Sequence, residues 1–350
     1  MPDLRALTAD YEHWLGDRIP LDRDELRRKH EELAHDEYRF LRGTYYLWLI
    51  RAAAEVPDAF GRAAVPLVGD LHVENYGTWR DHDQVRRWGV NDLDELARGS
   101  WLLDLVRLAT SAVLAPHLAL SEHEVCDSVL TSWYAAAPGA AADLRDAPHL
   151  ATLVPELADT HSFYSALTRG QEAHDVPAAV VAAAERVAEA GWRPTWHVHE
   201  AGTGSLGHRR RVGVGHAADG SWHAREAKEL GPPACVWAAG RGLSVRVPRR
   251  DDTAYDAVVA ALRGPAGAAR VDDWQVRDLA PDVVRIRPEG LHHHDSRRLL
   301  ESMAAAAADV HGTDPVSLRE ARAETVSEHD FRDLVATMGA AVRADFHAQA

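Results

Sequence analysis

Apolar and polar positions follow three successive rhythms along the chain. In "PLDRDELRRKHEELAHDEYRFLRGTYYLWLIRAAAEV", leucines and aromatics recur at three- and four-residue spacings on a charged background. That pattern predicts amphipathic helices through the first 60 residues. "AAVPLVGD" then reads as a short strand running into a loop, and "VRRWGVNDLDE" as a second strand. Helical spacing returns at "SWLLDLVRLATSAVLAPHLAL" and continues to about residue 190, alanine-rich and interrupted at "APGAA", "DAPHL" and "RGQEAHDVP". From about 191 to 288 apolar and polar residues alternate, punctuated by Gly and Asp-Gly, as in antiparallel strands and hairpins. Within that stretch "DDTAYDAVVAALRG" reads as a single helix and "WQVRDLAPDVVRIRPEG" as two more strands. After Pro288 helices resume in "SRRLLESMAAAAADVHG" and "EHDFRDLVATMGAAVRADFHAQ". The expected chain is α+β: a helical region 1–190, a β-rich region 191–288, and helices 289–350 that return to the first.

Composition narrows the class. The 350 residues, 46% apolar and 27% charged, are those of a soluble globular protein with room for two cores. No apolar run has membrane-spanning length and "MPDLRALTADYEHW" lacks an apolar leader core, so a cytoplasmic location without a membrane partner is the expectation. Cys126 and Cys235 form no CxxC and read as reduced, partly buried thiols. A net charge of −15 opposes binding to a nucleic-acid backbone and mildly favours an amine-bearing small molecule. Among 21 histidines, His292, His293 and His294 stand together, but three adjacent side chains cannot all point one way, and a solvated turn is the plainer reading.

The densest chemistry follows the first strand, in "VPLVGDLHVENYGTWRD". Asp70, His72 and Glu74 are ligand types for Zn or Mn, yet there is no HExxH, no PCxxC partner of a zinc deaminase, and no G-x-S-x-G elbow. Phosphoryl transfer fits the spacing better: an aspartate that accepts a hydroxyl proton and, five residues on, an asparagine that holds Mg²⁺, here Asp70 and Asn75. Asp92, with Asp94 two residues on and so on the same strand face, supplies the further metal carboxylate. Each of these residues alone is a common turn former; their ordered arrival after an apolar segment is what points to chemistry. Gly202, Gly204 and Gly207 form G-x-G-x-x-G without a helix behind it, as in a phosphate-covering loop between antiparallel strands. Lys228, one of very few lysines, ends the next strand-like run.

These blocks, with "FLRG", "SWLLDLVRLATS", "AKE", "VRIR" and "AADVHG", resemble the bacterial domain-of-unknown-function family 2252. They also look like a distant branch of the protein-kinase-like superfamily, near the aminoglycoside and choline phosphotransferases. The resemblance implies an ATP- and Mg²⁺-dependent kinase acting on a small-molecule hydroxyl. Asp70 would be the catalytic base, Asn75, Asp92 and Asp94 would face the metal, and Gly202, Gly204, Ser205, Gly207 and Lys228 would hold ATP. Asp104 would anchor the catalytic loop, His72 would orient it, and Arg42 would meet a phosphate or pair on a helix surface. The motif order is rearranged, with the catalytic loop ahead of the glycine loop. This implies a circularly permuted two-lobed kinase-like fold with a helix-rich large lobe and a small antiparallel nucleotide lobe. Two positions depart from the family pattern. Val68 replaces the usual first histidine, and the helix after Lys228 offers only Asp251, Asp252 and Asp256 in place of a glutamate. Three alternatives stand beside the kinase: a nucleotide-binding pseudokinase or sensor, a nucleotidyltransferase, and a metal-dependent hydrolase using Asp70, His72 and the 292–294 histidines.

Overall fold

The structure, a computed structural model, describes residues 3–186, 188–199, 207–286 and 288–349. Four helices open the chain: Leu4–Gly16, Arg23–Leu33, Glu37–Gly43 and Tyr45–Glu55. The first three start on Asp3, Asp22 and Asp36, whose carboxylates accept from first-turn N–H groups that have no partner within the helix. The strand Ala64–Leu67 then pairs antiparallel with Ala97–Ser100, which pairs with Arg249–Arg250. Between them a hairpin of Tyr76–Arg80 and Arg86–Val90 carries Ala142–Asp143 on its edge.

The fold differs from the sequence pattern at four places. Tyr76–Arg80 is a strand that periodicity hides, because four of its five residues are buried and no in–out alternation survives. The strand before Asp92 ends at Val90, so Asp92 and Asp94 sit in the following turn and share no strand face. Only Trp274–Asp278 of "WQVRDLAPDVVRIRPEG" becomes a strand. Its later part instead lies against the hairpin, where the Thr78 N–H donates to Val284 O at 2.8 Å and its hydroxyl to Asp282 O at 2.6 Å, and Arg80 pairs with the Asp282 carboxylate at 2.6 Å. A short helix, Ala234–Ala239, joins Ala254–Ala261 within the β-rich region.

The largest apolar core lies among Tyr45–Glu55, Trp101–Leu114, Glu122–Ala135, His293–His311 and Glu328–Gln349. Trp101 and Trp133 stack at its centre with centroids 4.3 Å apart. A buried ion pair, Arg51 Nε to Asp345 Oδ2 at 2.8 Å, ties the fourth helix to the last. A five-stranded antiparallel sheet follows the order Ala269–Val271, Trp274–Asp278, Trp222–Glu229, Arg210–His216, Arg193–Val198. Helix Ala178–Arg186 packs beside Ala227, Trp274 and Val276 on one face. Helix Thr160–Leu167 covers Val212, Val214 and Ala224 on the other. Because side chains alternate along a strand, that second face continues as Arg210, Glu226, Lys228 and Arg277. An apolar face thus turns charged where the sheet meets the rest of the molecule. Cys126 and Cys235 are free and buried, and no helix among the described residues is long and apolar enough to cross a membrane.

Trp133 is fully buried, stacks on Trp101 and donates its indole N–H to His311. Trp133→Ala should therefore lose about 3–5 kcal/mol in urea unfolding, as truncation of a large core aromatic does. A loss below about 1 kcal/mol would mean that this core relaxes around the cavity.

Candidate active site

Helix Trp101–Leu114 organises the loop that follows the first strand. It is apolar except at a few positions, and three polar residues at spacings of three and four fall on one face: Asp104, Arg107 and Ser111. The Asp104 carboxylate accepts from Val68 N (2.8 Å) and Gly69 N (3.0 Å). Arg107 donates through Nε (3.0 Å) and Nη2 to Asp70 Oδ1, and through Nη2 to Leu41 O. Ser111 Oγ accepts from Val73 N at 3.1 Å. Successive helical turns thus hold successive residues of the loop. Gly69 makes the bend with φ +85°, and a Cβ there would lie 2.5 Å from Glu95 O, so only glycine fits.

Asp104 is held from its far side as well. Trp133 donates to His311 Nδ1 at 3.0 Å; an indole only donates, so the His311 proton sits on Nε2 and goes to Asp104 Oδ2 at 3.1 Å.

The loop's polar side chains line one cavity. Asp70, His72, Glu74 and Asn75 face it from the loop, Asp92, Asp94 and Glu95 from the turn after the hairpin. The Asn75 amide nitrogen donates to Asp70 O at 3.0 Å, while its Oδ1 is buried without a partner. Asp94 Oδ1 is likewise buried and unpaired. Buried His72 accepts at Nδ1 from Glu74 N at 3.2 Å, and burial followed by Arg42 and Arg107 lowers its basicity well below the usual imidazole range. Burial raises the Asp70 carboxyl above its ordinary range, with Arg107 opposing.

Lys228 reaches this cavity from the sheet. Its Nζ pairs with Asp94 Oδ2 and lies 3.7 Å from Asp92 Oδ1. The lysine therefore has acidic partners, supplied by the turn after the hairpin instead of by the following helix. Asp251 and Asp252 on that helix's approach engage Thr253 and Arg250. Burial lowers Lys228 to about 8 despite Asp92; burial would raise the Asp92 carboxyl, but Lys228, Arg277, Arg285 and Arg210 together hold it well below its usual range. Beside it Glu226 takes Arg210 (2.6 Å) and Arg277 (2.7 Å), and Arg277 also donates to Asn91 O at 3.1 Å, which ties the sheet to the aspartate turn.

Of the residues singled out in the sequence, the structure gathers Arg42, Asp70, His72, Asn75, Asp92, Asp94 and Lys228 at one place, with Asp104 behind them. Arg42 is neither free nor on a surface: it pairs with Glu74 at 2.6 Å within the cavity. Gly202, Gly204 and Ser205 lie outside the described residues; Gly207, φ +98°, receives Glu25 Oε2 on its N–H at 2.9 Å. His292, His293 and His294 stand apart, where His293 pairs with Glu124 at an exposed helix start. No three His, Cys, Asp or Glu side chains among the described residues gather as a metal site. Arg107, Ser111, His311, Glu226, Glu95, Arg285 and Lys29 were not anticipated. Arg107 and Ser111 carry a readable signal, polar residues three and seven positions after Asp104 in an apolar helix.

Residues 21–191 match the model of a family described as an uncharacterized protein conserved in bacteria, DUF2252. The match takes in the loop, the aspartate turn and helix Trp101–Leu114, and stops short of the sheet that carries Lys228. No curated protein and no solved structure matches the chain.

Two outcomes follow from this geometry. Asp104→Ala strands three buried N–H donors and should cost on the order of 3 kcal/mol or more in chemical unfolding; Asp104→Asn, which keeps an acceptor, should cost less. Glu95 is raised to about 8, first by burial and then by Asp70, against the N–H of Ala234. Its folded-state value lies above its unfolded one, so its contribution is full below about pH 4.5 and is lost as pH rises through 8. Wild type should lose stability relative to Glu95→Gln across that window; parallel stability curves would count against the shift.

Proposed function

We propose that this protein binds ATP with Mg²⁺ and transfers the terminal phosphoryl group to a hydroxyl of a small-molecule acceptor. The scaffold in this reading is kinase-like, two-lobed and circularly permuted, with the five-stranded sheet on the nucleotide side. The observation that carries the reading is Asn75. Its amide nitrogen is spent on the Asp70 carbonyl and its Oδ1 is buried without a partner, in a residue that lines the cavity with Asp92 and Asp94. A buried oxygen without a donor is costly, and a hard cation satisfies it. Magnesium keeps waters and phosphate oxygens and takes few protein ligands, so Asn75, Asp92 and Asp94 suffice without a preformed cage. When bound, the ion would neutralise charge on the β- and γ-phosphate oxygens.

The protein's own groups divide the remaining work. Both Arg107 bonds go to Asp70 Oδ1, and Oδ2 makes no hydrogen bond among the described residues. Arg107 thus orients the carboxylate and leaves one oxygen for the acceptor hydroxyl. Burial, by raising Asp70, makes it a better proton acceptor than a solvated aspartate. In the transfer the hydroxyl proton passes to Asp70 and a bond forms from acceptor oxygen to γ-phosphorus. The bond to the β,γ-bridging oxygen breaks, and its electron pair leaves with ADP. Lys228 is placed to exchange its contact with Asp94 for phosphate oxygens. The Glu12 carboxylate at the same cavity, with the net charge of −15, favours an amine-bearing acceptor.

A second reading, a nucleotide-binding sensor without transfer, draws on the occupied state of the charges: Asp70 held by Arg107 and Lys228 held by Asp94. Calorimetric titration of metal-stripped protein with ATP, with and without Mg²⁺, tests the shared part. Binding should require Mg²⁺ and vanish in Asp92→Ala and Lys228→Ala; absence of binding under every condition would overturn both readings. Asp70→Asn should then retain ATP binding and lose turnover. ADP as product marks phosphoryl transfer, pyrophosphate marks nucleotidyl transfer, and neither, with binding intact, marks the sensor.

A further inference from the structure

Only two of the chain's 39 Lys and Arg residues are lysines, Lys29 and Lys228. They lie 199 positions apart in sequence and meet at the same cavity: Lys228 through Asp92 and Asp94, Lys29 as part of the cavity wall. Lys29 sits on helix Arg23–Leu33, whose sequence "RDELRRKHEEL" is nearly all charged. Glu25, Leu26, Lys29 and Leu33 are nevertheless shielded from solvent relative to their neighbours, at the spacing of one helical face. That face is seated on the end of the glycine segment. Glu25 accepts from Gly207 N at 2.9 Å, Asp22 N donates to Gly207 O at 3.2 Å, and Leu26 Cδ2 lies 2.8 Å from where a Gly207 Cβ would stand.

Charges of both signs act on Lys29 in the cavity. Burial lowers its ammonium, opposed by the carboxylates of Glu12, Asp70 and Glu95. On its other side His208, just after the glycine segment, is pushed down to about 4 by burial and then by Lys29. Lys29, Asp70 and His208 thus line one cavity, and the helix that carries Lys29 is seated on Gly207. Three other cations there are committed, Arg42 to Glu74, Arg210 to Glu226 and Lys228 to Asp94, while Arg285 lines the same cavity from the segment after the sheet. The Lys29 side chain makes no hydrogen bond or ion pair with any described residue.

We infer that Lys29 contacts the terminal phosphoryl group of the bound nucleoside triphosphate, so that helix Arg23–Leu33 supplies a second phosphate-binding cation opposite Lys228. The inference rests on reading the cavity as a nucleotide site. It divides the two lysines by the element each comes from: Lys228 from the sheet, beside the metal carboxylates, and Lys29 from the helix seated on Gly207, in the wall of the cavity that Asp70 also lines. A compact ammonium suits that place, since it follows a moving group without imposing a fixed fork of donors.

The scarcity of lysine supplies the assay. Amine-selective acylation read by peptide mass spectrometry reports Lys29 and Lys228 separately, in the unaltered protein. With Mg²⁺ and the non-hydrolysable β,γ-imido analogue of ATP, acylation of Lys29 should slow by roughly tenfold, and with Mg²⁺ and ADP by less than about twofold. Titration of Lys29→Met should show ATP affinity reduced to that of ADP, with ADP affinity unchanged. Equal protection by both nucleotides, or none, overturns the role of Lys29 while leaving the nucleotide site standing. Wild-type protein that binds neither nucleotide by titration overturns both.

Discussion

One carboxylate holds the parts of this molecule in register. Asp104 sits in a helix buried along nearly its whole length, virtually without solvent, and accepts from two backbone amides of the loop and from His311 near the end of a helix some 200 positions later. An uncompensated charge there would be prohibitive. The three donors exist only when the loop is bent at Gly69, helix Trp101–Leu114 is packed beneath it, and helix His293–His311 is docked against Trp133. Each condition is useless without the others, so the loop cannot be formed locally and the core closed later. The same helix then sets Asp70 through Arg107 and the following turn through Ser111, which makes the position of the cavity's main carboxylate a consequence of core packing.

Much of this was legible in the chain, and what was hidden was hidden for identifiable reasons. Asp70, His72 and Asn75 lie within six positions, so their convergence needs only a bent loop. The helical, β-rich, helical order is written in the change of apolar period. Asp104, Arg107 and Ser111 share one helical face, a pattern that sequence spacing alone can reveal. By contrast, the partner of Lys228 comes from a turn 134 residues earlier, and no local pattern announces a contact made by chain topology. His311 and Lys29 belong to the same class: one sits in an alanine-rich helix, the other in a helix so charged that it reads as fully solvated. Tyr76–Arg80 was obscured because a strand covered on both faces has no alternation to read.

The sheet contributes order of another kind. Arg209 takes both oxygens of Glu229, Arg211 both of Asp175, and Arg210 and Arg277 share Glu226 across neighbouring strands. A slip of one residue would turn Glu226 away from Arg210 and Arg277, so this trio penalises wrong registers more than it adds to net stability. Through Arg277 and Asn91 the same network fixes how the sheet stands against the aspartate turn. Lys228 and its two carboxylates therefore meet across a boundary that is itself charge-locked.

That network is built almost wholly of guanidinium groups, and this has a consequence for alkaline media. Arginine keeps its proton far above any pH at which a folded protein is ordinarily handled, and burial lifts Cys126 and Cys235 to about 12. The sheet's arginine pairs thus keep their charge in mild base. Lys228, at about 8, does not. In mild alkali the cavity gives up its buried ammonium and Glu95, also near 8, gains a charge, while the guanidinium pairs of the sheet keep theirs, so that Asp92 and Asp94 lose their cation just as a further anion appears beside them.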